Sequence, residues 1–321
     1  MAKLKNAMLV LLLAWSSIPT VEAEGFWQRV ENKPNCKIWV GWPAQDATVT
    51  WSGSCVNGLA DGRGQLVRRY QENDTWKTFV YTGTLRNGKG NGLGVWTLGG
   101  LKYEGGMKNS LTHGKGVLIT DDERYEGSWE YGRRHGRGVI EWVNGDRYEG
   151  EFKQDEKHGR GVFEFASGNR YEGEFKNGKR TGHGVLLWKN GDRYEGDWQK
   201  GIRTGRGVFT WANGDRYEGD FKAGKLTGHG VVLWSNGNRY EGEWKDDKRN
   251  GRGVFLTANG NKYVGDFKDG KMNGNGKVTL PGGDTCEGEW RHDKLVGVGD
   301  ALRNGRVTKC YMEGTVINFT R

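Results

Sequence analysis

Along this chain, apolar and polar residues alternate in short bursts separated by turn residues. Tyr171-Glu172-Gly173-Glu174-Phe175-Lys176 switches with a period of two, the pattern of a half-buried strand. Asn177-Gly178-Lys179-Arg180-Thr181-Gly182 is turn chemistry. Gly184-Val185-Leu186-Leu187-Trp188 reads as a second strand, and Asn190-Gly191-Asp192 as a tight turn into the next segment. Asn-Gly favours the positive φ angles of a type I′ hairpin turn, and the dipeptide returns at Asn144-Gly145, Asn213-Gly214, Asn236-Gly237 and Asn259-Gly260. The opening phrase Tyr-Glu-Gly returns at Tyr103, Tyr125, Tyr148, Tyr171, Tyr194, Tyr217 and Tyr240, with variants at Tyr263 and Cys286. Counted from a weaker copy at Tyr81, successive starts are 22, 22 and then 23 residues apart. Trp51-Ser52-Gly53-Ser54-Cys55 is the earliest copy, which makes about eleven units, with a seven-residue insertion near 66–80. The prediction is an all-β chain, hairpin after hairpin, in an antiparallel meander.

The same period sorts the two faces of each strand. Tyr171, Gly173 and Phe175 share one side, while Arg170, Glu172, Glu174 and Lys176 share the other. The neighbouring unit repeats this with Arg147, Glu149, Glu151 and Lys153. The charged face balances itself, which predicts surface ion pairs worth about 0–1 kcal/mol each. Stability must come from the aromatic face. A glycine between two aromatics leaves room for a ring over the backbone, and a bulky residue at Gly173 would close that room.

Composition narrows the class. Glycine supplies 56 of 321 residues but proline only 4, which excludes a collagen-like chain. Fifteen tryptophans and twelve tyrosines exclude a disordered low-complexity chain. This much glycine also disfavours a helical bundle. At the N-terminus, Lys3 and Lys5 precede an apolar run from Ala7 to Ile18, and Val21 and Ala23 are small residues at cleavage spacing. Residues 1–23 are therefore expected to be a signal peptide, the run being shorter than the roughly 20 residues of a membrane span. Without Lys3, Lys5 and Glu22 the chain keeps 47 basic and 39 acidic residues, a net charge of +8. A periplasmic or secreted location follows, and the short leader and unadorned array suggest a bacterial envelope.

The recurring Tyr-Glu-Gly-Glu-Phe/Trp, Gly-x-Gly-Val and Asn-Gly-Asp phrases closely resemble the MORN repeat (membrane occupation and recognition nexus) over about residues 51–315. The resemblance implies an elongated, single-layer β-meander with an aromatic-lined groove, used as an adaptor that engages lipid headgroups or partner proteins. Trp51, Cys55, Thr82, Val264 and Cys286 depart from the pattern near the ends. Eleven two-strand units would span about 105 Å. Residues 24–50 would form an N-terminal cap, residues 51–315 the array and residues 316–321 a C-terminal tail, since such arrays need pinned terminal units.

The expected function is a non-enzymatic binding scaffold. Its partner groove would be lined by Tyr125, Trp129, Tyr148, Phe152, Tyr171, Phe175, Tyr194, Trp198, Tyr217, Phe221, Tyr240, Trp244, Tyr263 and Phe267, rings that would anchor a peptide or helix. The alternative is an anionic phospholipid or envelope glycan bound through basic loops at Arg133-Arg134, Lys179-Arg180 and Lys248-Arg249, a mode that salt should weaken. Self-association to a homodimer through an edge strand is a further expectation.

An exported chain with four cysteines favours disulfides. Far-apart ends would exclude end-to-end bonds, so Cys36–Cys55 and Cys286–Cys310 are the expected pairs, with free buried thiols as the alternative. No cofactor and no metal site are expected. In-phase His113, His135 and His158 would stand about 10 Å apart, too far to share a metal ion. Glu149 and Glu151 have glycosidase-like spacing, but the pair recurs in unit after unit, whereas a catalytic pair is singular. Gly136-Arg137-Gly138 lacks the helix that a dinucleotide loop needs. Nucleic acid is not an expected partner of an exported protein with modest charge. Asn73-Asp74-Thr75 and Asn318-Phe319-Thr320 are glycosylation sequons that matter only in a eukaryotic secretory route.

Overall fold

The computed structural model describes residues 25–320; the predicted leader lies outside them. Every regular element among the described residues is a β-strand. The chain divides into two compact units, one ending at Lys157 and the other starting at His158. Each is an antiparallel meander in which most strands pair with their neighbours in sequence; near the start, Lys37 also makes a parallel bridge to Leu59.

The first unit opens with Phe26–Val30 paired to Lys33–Val40, followed by Gln45–Trp51, which pairs with Leu59–Glu72. The stretch read as an insertion is a lengthened hairpin. Leu59–Glu72 and Thr75–Arg86 stay in register from Gly62↔Leu85 to Glu72↔Thr75 around a tip at Asn73-Asp74. Regular hairpins then continue to Arg147–Lys153. In the second unit, pairing runs from Arg170–Lys176 with Lys179–Leu187 through to Arg306–Glu313 with Val316–Phe319. The residues expected to form a tail thus add a last strand, fastened where Thr320 Oγ1 meets Thr308 Oγ1 at 3.0 Å.

One unit shows why the sequence takes this form. Gly173 lies opposite Gly184, and the Tyr171 ring lies across both. A Cβ on Gly173 or Gly184 would come within 2.5 or 2.3 Å of the Tyr171 oxygen. That hydroxyl donates to the Glu174 carbonyl at 3.2 Å. Tyr194, Tyr217, Tyr240 and Tyr263 repeat the bond to the carbonyl three residues on, at 3.0, 3.0, 3.0 and 3.1 Å. Each of these phenols is buried, so its polar end needs this internal acceptor. Each ring is also met edge-on by two others: Tyr171 by Phe175 at 5.2 Å and by Trp198 of the next hairpin at 5.4 Å. Where the second ring is an indole it adds a hydrogen bond, as from Trp198 to the Gly184 carbonyl at 3.1 Å.

The turns differ from expectation in one respect. The left-handed pair of a two-residue hairpin sits at Asn177-Gly178, with φ of 50° and 73°. At Asn190-Gly191 only the glycine is left-handed, at 95°. There the Gly191 N–H donates to the Trp188 carbonyl and the Trp188 N–H to the Asp192 carbonyl, both at 2.9 Å. This is a three-residue loop, a type I turn followed by one left-handed residue. The Asn190 side chain accepts the Asp192 N–H at 3.0 Å, which keeps Asn190 itself on the ordinary side of φ. The following Asp192 accepts the Ala212 N–H of the next loop at 2.8 Å, and Asp215 does the same for Ser235 at 2.8 Å. The Asn-Gly-Asp phrase therefore closes one turn and ties it to the next.

Both cysteine pairs are joined: Cys36 to Cys55, with Cα atoms 5.9 Å apart, and Cys286 to Cys310, at 5.8 Å. At the second pair the disulfide takes the place of the tyrosine ring. Cys286 stands at the tyrosine position, and a Cβ on Gly299 would be 3.0 Å from the Cys310 sulfur. In the first unit Trp51 plays the same part over Gly53 and Gly64.

Candidate binding surfaces

The tyrosines assigned to the groove are at most 3% exposed from Tyr125 to Tyr263, and Phe152, Phe175, Trp198, Phe221 and Trp244 at most 8%. Trp129 and Phe267 are equally buried. These fourteen rings are the core of their units, because each tyrosine is covered by two neighbours and backs onto glycine. Burial pushes the phenols of Tyr171, Tyr194 and Tyr240 up to about 12. It raises those of Tyr125, Tyr148, Tyr217 and Tyr263 as well. A partner reaching this face would meet what lies beside the rings.

Beside them, at the start of each three-residue loop, runs a second aromatic row. In the second unit it comprises Phe165, Trp188, Trp211 and Trp234, all half-buried. Phe163, Phe209 and Phe255 support it from the tyrosine row. Phe163 lies 4.4 Å from Phe165, Phe209 lies 5.3 Å from Trp188 and 4.7 Å from Trp211, and Phe255 lies 5.8 Å from Trp234. The sequence pattern placed Trp188 at the end of a strand and missed the row as surface. The signal was there: the row's rings recur in the unit phase on the tyrosine parity, next to turn residues that cannot cover them.

The residues expected to form basic loops divide into packed and exposed side chains. Arg134, Arg180 and Arg249 are packed. The Arg180 guanidinium stacks on Trp198 at 4.2 Å and donates to the Gly201 carbonyl at 3.1 Å. Arg249 lies 5.2 Å from the Phe267 ring and donates to the Gly270 carbonyl. Arg134 sits 2.8 Å from Glu123 and 5.6 Å from the Tyr125 ring. Burial lowers the pKa of Arg180 and Arg249. The planar head spreads over rings and reaches the next loop, so these arginines link hairpins. Arg203 and Lys157 occupy the same phase and were missed. Arg203 donates to the Gly224 carbonyl at 2.8 Å, and Lys157 stands 5.3 Å over Trp142. Lys179 and Lys248 are exposed, Lys248 lying 3.7 Å from Asp269, and Arg133 is half-buried.

The opposite face carries the expected ion pairs. Arg170–Glu172, Arg193–Glu195, Arg216–Glu218 and Arg239–Glu241 meet at 2.8, 2.7, 2.6 and 2.6 Å. The Arg193 guanidinium beside it lowers the pKa of Glu195, as Arg239 does for Glu241. Between these pairs stand exposed Leu187, Leu233 and Leu256. His183 lies 3.7 Å from Glu195 and 3.8 Å from Asp197.

No curated protein matches this sequence. Among solved structures, the chain is similar to the TCP domain of SAS-4 (dCPAP) of Drosophila melanogaster, determined in complex with a proline-rich motif of Ana2 (dSTIL). That likeness has 16% identity over 47% of this chain and 83% of that one, with a TM-score of 0.32. A streptogramin B lyase is similar at 10% identity over 83% and 88% of the two chains, with a TM-score of 0.14. Scores this low carry no argument about function. The family comparison is decisive. The model of the MORN repeat matches ten stretches, at 81–99, 103–122, 125–147, 148–170, 171–193, 194–216, 217–239, 240–262, 263–285 and 286–300. The matches start where the ring-over-glycine units become regular and include every Tyr-Glu-Gly copy; this chain belongs to the MORN-repeat family.

Proposed function

We propose that this protein is a non-enzymatic scaffold of the periplasm or the secreted space, and that its second unit binds a protein partner along the half-exposed aromatic row. MORN repeats are binding and scaffold modules, a non-catalytic family. Two disulfides suit an oxidising compartment, and the leader-like residues 1–23 suit export. The observation that carries the reading is the row itself. Trp188, Trp211 and Trp234 recur once per hairpin, half open to solvent, supported by Phe209 and Phe255 beside the buried tyrosines. Indoles held rigidly and left partly open are the residue type that dominates binding energy at protein interfaces. An extended peptide or a helix lying across the strands would meet one indole per unit. The affinity would be apolar in origin and would change little with salt.

Crosslinking and affinity capture from the native envelope test this. The informative variants are Trp188→Ala, Trp211→Ala and Trp234→Ala, because substitutions at Tyr171 or Tyr194 would collapse the core. The captured partner should bind each variant about tenfold or more weakly. Capture that survives loss of all three indoles, or that vanishes with moderate salt, would remove the proposal.

A further inference from the structure

Away from the aromatic row, the first unit has a cleft of about 350 Å³ where successive hairpin tips meet the opening strand. Trp27, Arg86, Asn87, Lys89, Asn91 and Asn109 line it. We propose that this cleft is a binding site for an acidic saccharide, a sugar ring bearing a carboxylate.

Four features converge on that chemistry. The first is a platform. Trp27 is 43% exposed, yet its ring is fixed: a Cβ on Gly88 would come within 2.6 Å of it, and Trp39 meets it at 5.7 Å and 73°. An indole held firm and left uncovered presents the apolar face on which the C–H side of a pyranose stacks. The second is charge. Arg86 and Lys89 form no ion pair among the described residues, and Lys89 is held 4.4 Å over the Trp39 ring. The neighbouring carboxylate, Asp61, accepts the Asn87 N–H at 3.0 Å. At two corresponding tips the lysine instead faces a carboxylate, Lys225 lying 3.2 Å from Asp246 and Lys248 3.7 Å from Asp269.

The third feature is the amides. Asn91 is held by accepting the Asn109 N–H at 3.3 Å and donating to the Lys89 carbonyl at 3.1 Å. The side chains of Asn87 and Asn109 keep both donor and acceptor for a ligand. Sugar hydroxyls, which also donate and accept, match such amides. The fourth is what the backbone withholds. The Gly88 N–H donates to Ala60 at 2.7 Å and the Gly90 N–H to Ser110 at 3.0 Å, and those of Asn87 and Asn109 are the two already engaged. A phosphate-binding loop offers such N–H groups to its ligand, so a carboxylate taken by side-chain cations suits this cleft better than a nucleotide. The volume is at the small end of ligand sites and suits one end of a chain rather than its middle.

Isothermal titration of the mature protein with tetragalacturonate, cellotetraose and AMP tests the proposal independently of the aromatic row. Tetragalacturonate should saturate, with cellotetraose weaker by about tenfold. Trp27→Ala and Arg86→Gln should each weaken the uronate by about tenfold, Arg86→Gln should flatten its salt dependence, and Trp27→Phe should restore most of the binding. Trp211→Ala should leave it unchanged. Four results would overturn the site: no saturation by about 10 mM, equal affinity for cellotetraose, tighter binding of AMP, or wild-type binding by both the Trp27→Ala and Arg86→Gln proteins.

Discussion

A single tyrosine shows how little freedom this architecture leaves. The Tyr171 phenol is buried, hydrogen-bonded to Glu174 and laid across two glycines. Gly184→Ala would put a methyl 2.3 Å from the phenol oxygen. The ring cannot yield, because Phe175 and Trp198 hold its edges. The variant should lose about 1–3 kcal/mol, as overpacked cores do, read as a lower urea midpoint. Tyr171→Phe keeps the ring and removes only the bond to Glu174, so its loss should be smaller, about 1 kcal/mol. The phenols also set a pH limit. An unfolded tyrosine releases its proton near pH 10, while buried Tyr171, Tyr194 and Tyr240 hold theirs to about 12. Proton release therefore favours the unfolded chain as pH rises through that interval, and the tyrosines cost no stability below it. Alkaline titration should show tyrosinate absorbance and loss of β-sheet circular dichroism appearing together. Tyrosinate formed while the sheet stays intact would refute this.

Hairpins are joined to one another by more than the ladder of backbone bonds. On the tip side, arginine heads lie over the rings of two units and reach a carbonyl of the next loop, as Arg203 does at Gly224. On the other side, Asp192 and Asp215 fasten each loop to its successor. Arg203→Ala should lower stability by about 1–3 kcal/mol, through loss of cation–ring contact and of a hydrogen bond from a charged donor. Arg203→Leu should recover part of that, since Leu226 fills the equivalent place in the next unit and is buried there. Chemical denaturation of the two variants would separate packing from charge; equal losses would show that stacking on the rings is unimportant.

For the molecule as a whole, the disulfides lie among the first and the last of the described strands. They close intervals of 19 and 24 residues, each worth about 3 kcal/mol in the chain-entropy model. Reduction should loosen the terminal hairpins and leave the central ones protected. Hydrogen exchange with and without reductant would register this as faster exchange near Cys36 and Cys310 and little change around Tyr194. Uniform loss of protection would mean that the ends hold the middle together.

What could be read from the residues alone was whatever is local and repeated. Strand parity, unit length, the glycine opposite each ring and the ion-paired outer face all follow from a period of two nested in a period of 23, because a strand's geometry assigns each side chain to a face without knowledge of its neighbours. Whether a ring on the inner face is core or surface depends instead on what the adjacent hairpin places over it. Tyr171 and Trp188 share that face and the same recurrence, yet one is sealed by rings from two hairpins, while the other stands at a loop where Phe209 and Arg203 cover it only in part. The same reason divides the basic residues: Lys179 and Arg180 are adjacent in the chain, but only Arg180 turns onto an indole of the next strand. The cleft around Trp27 was invisible for a stronger version of that reason, since it joins residues from Trp27 to Asn109 that carry no shared motif. Sequence sets the face of each residue here; burial and exposure are set by contact between hairpins, which only the folded chain decides.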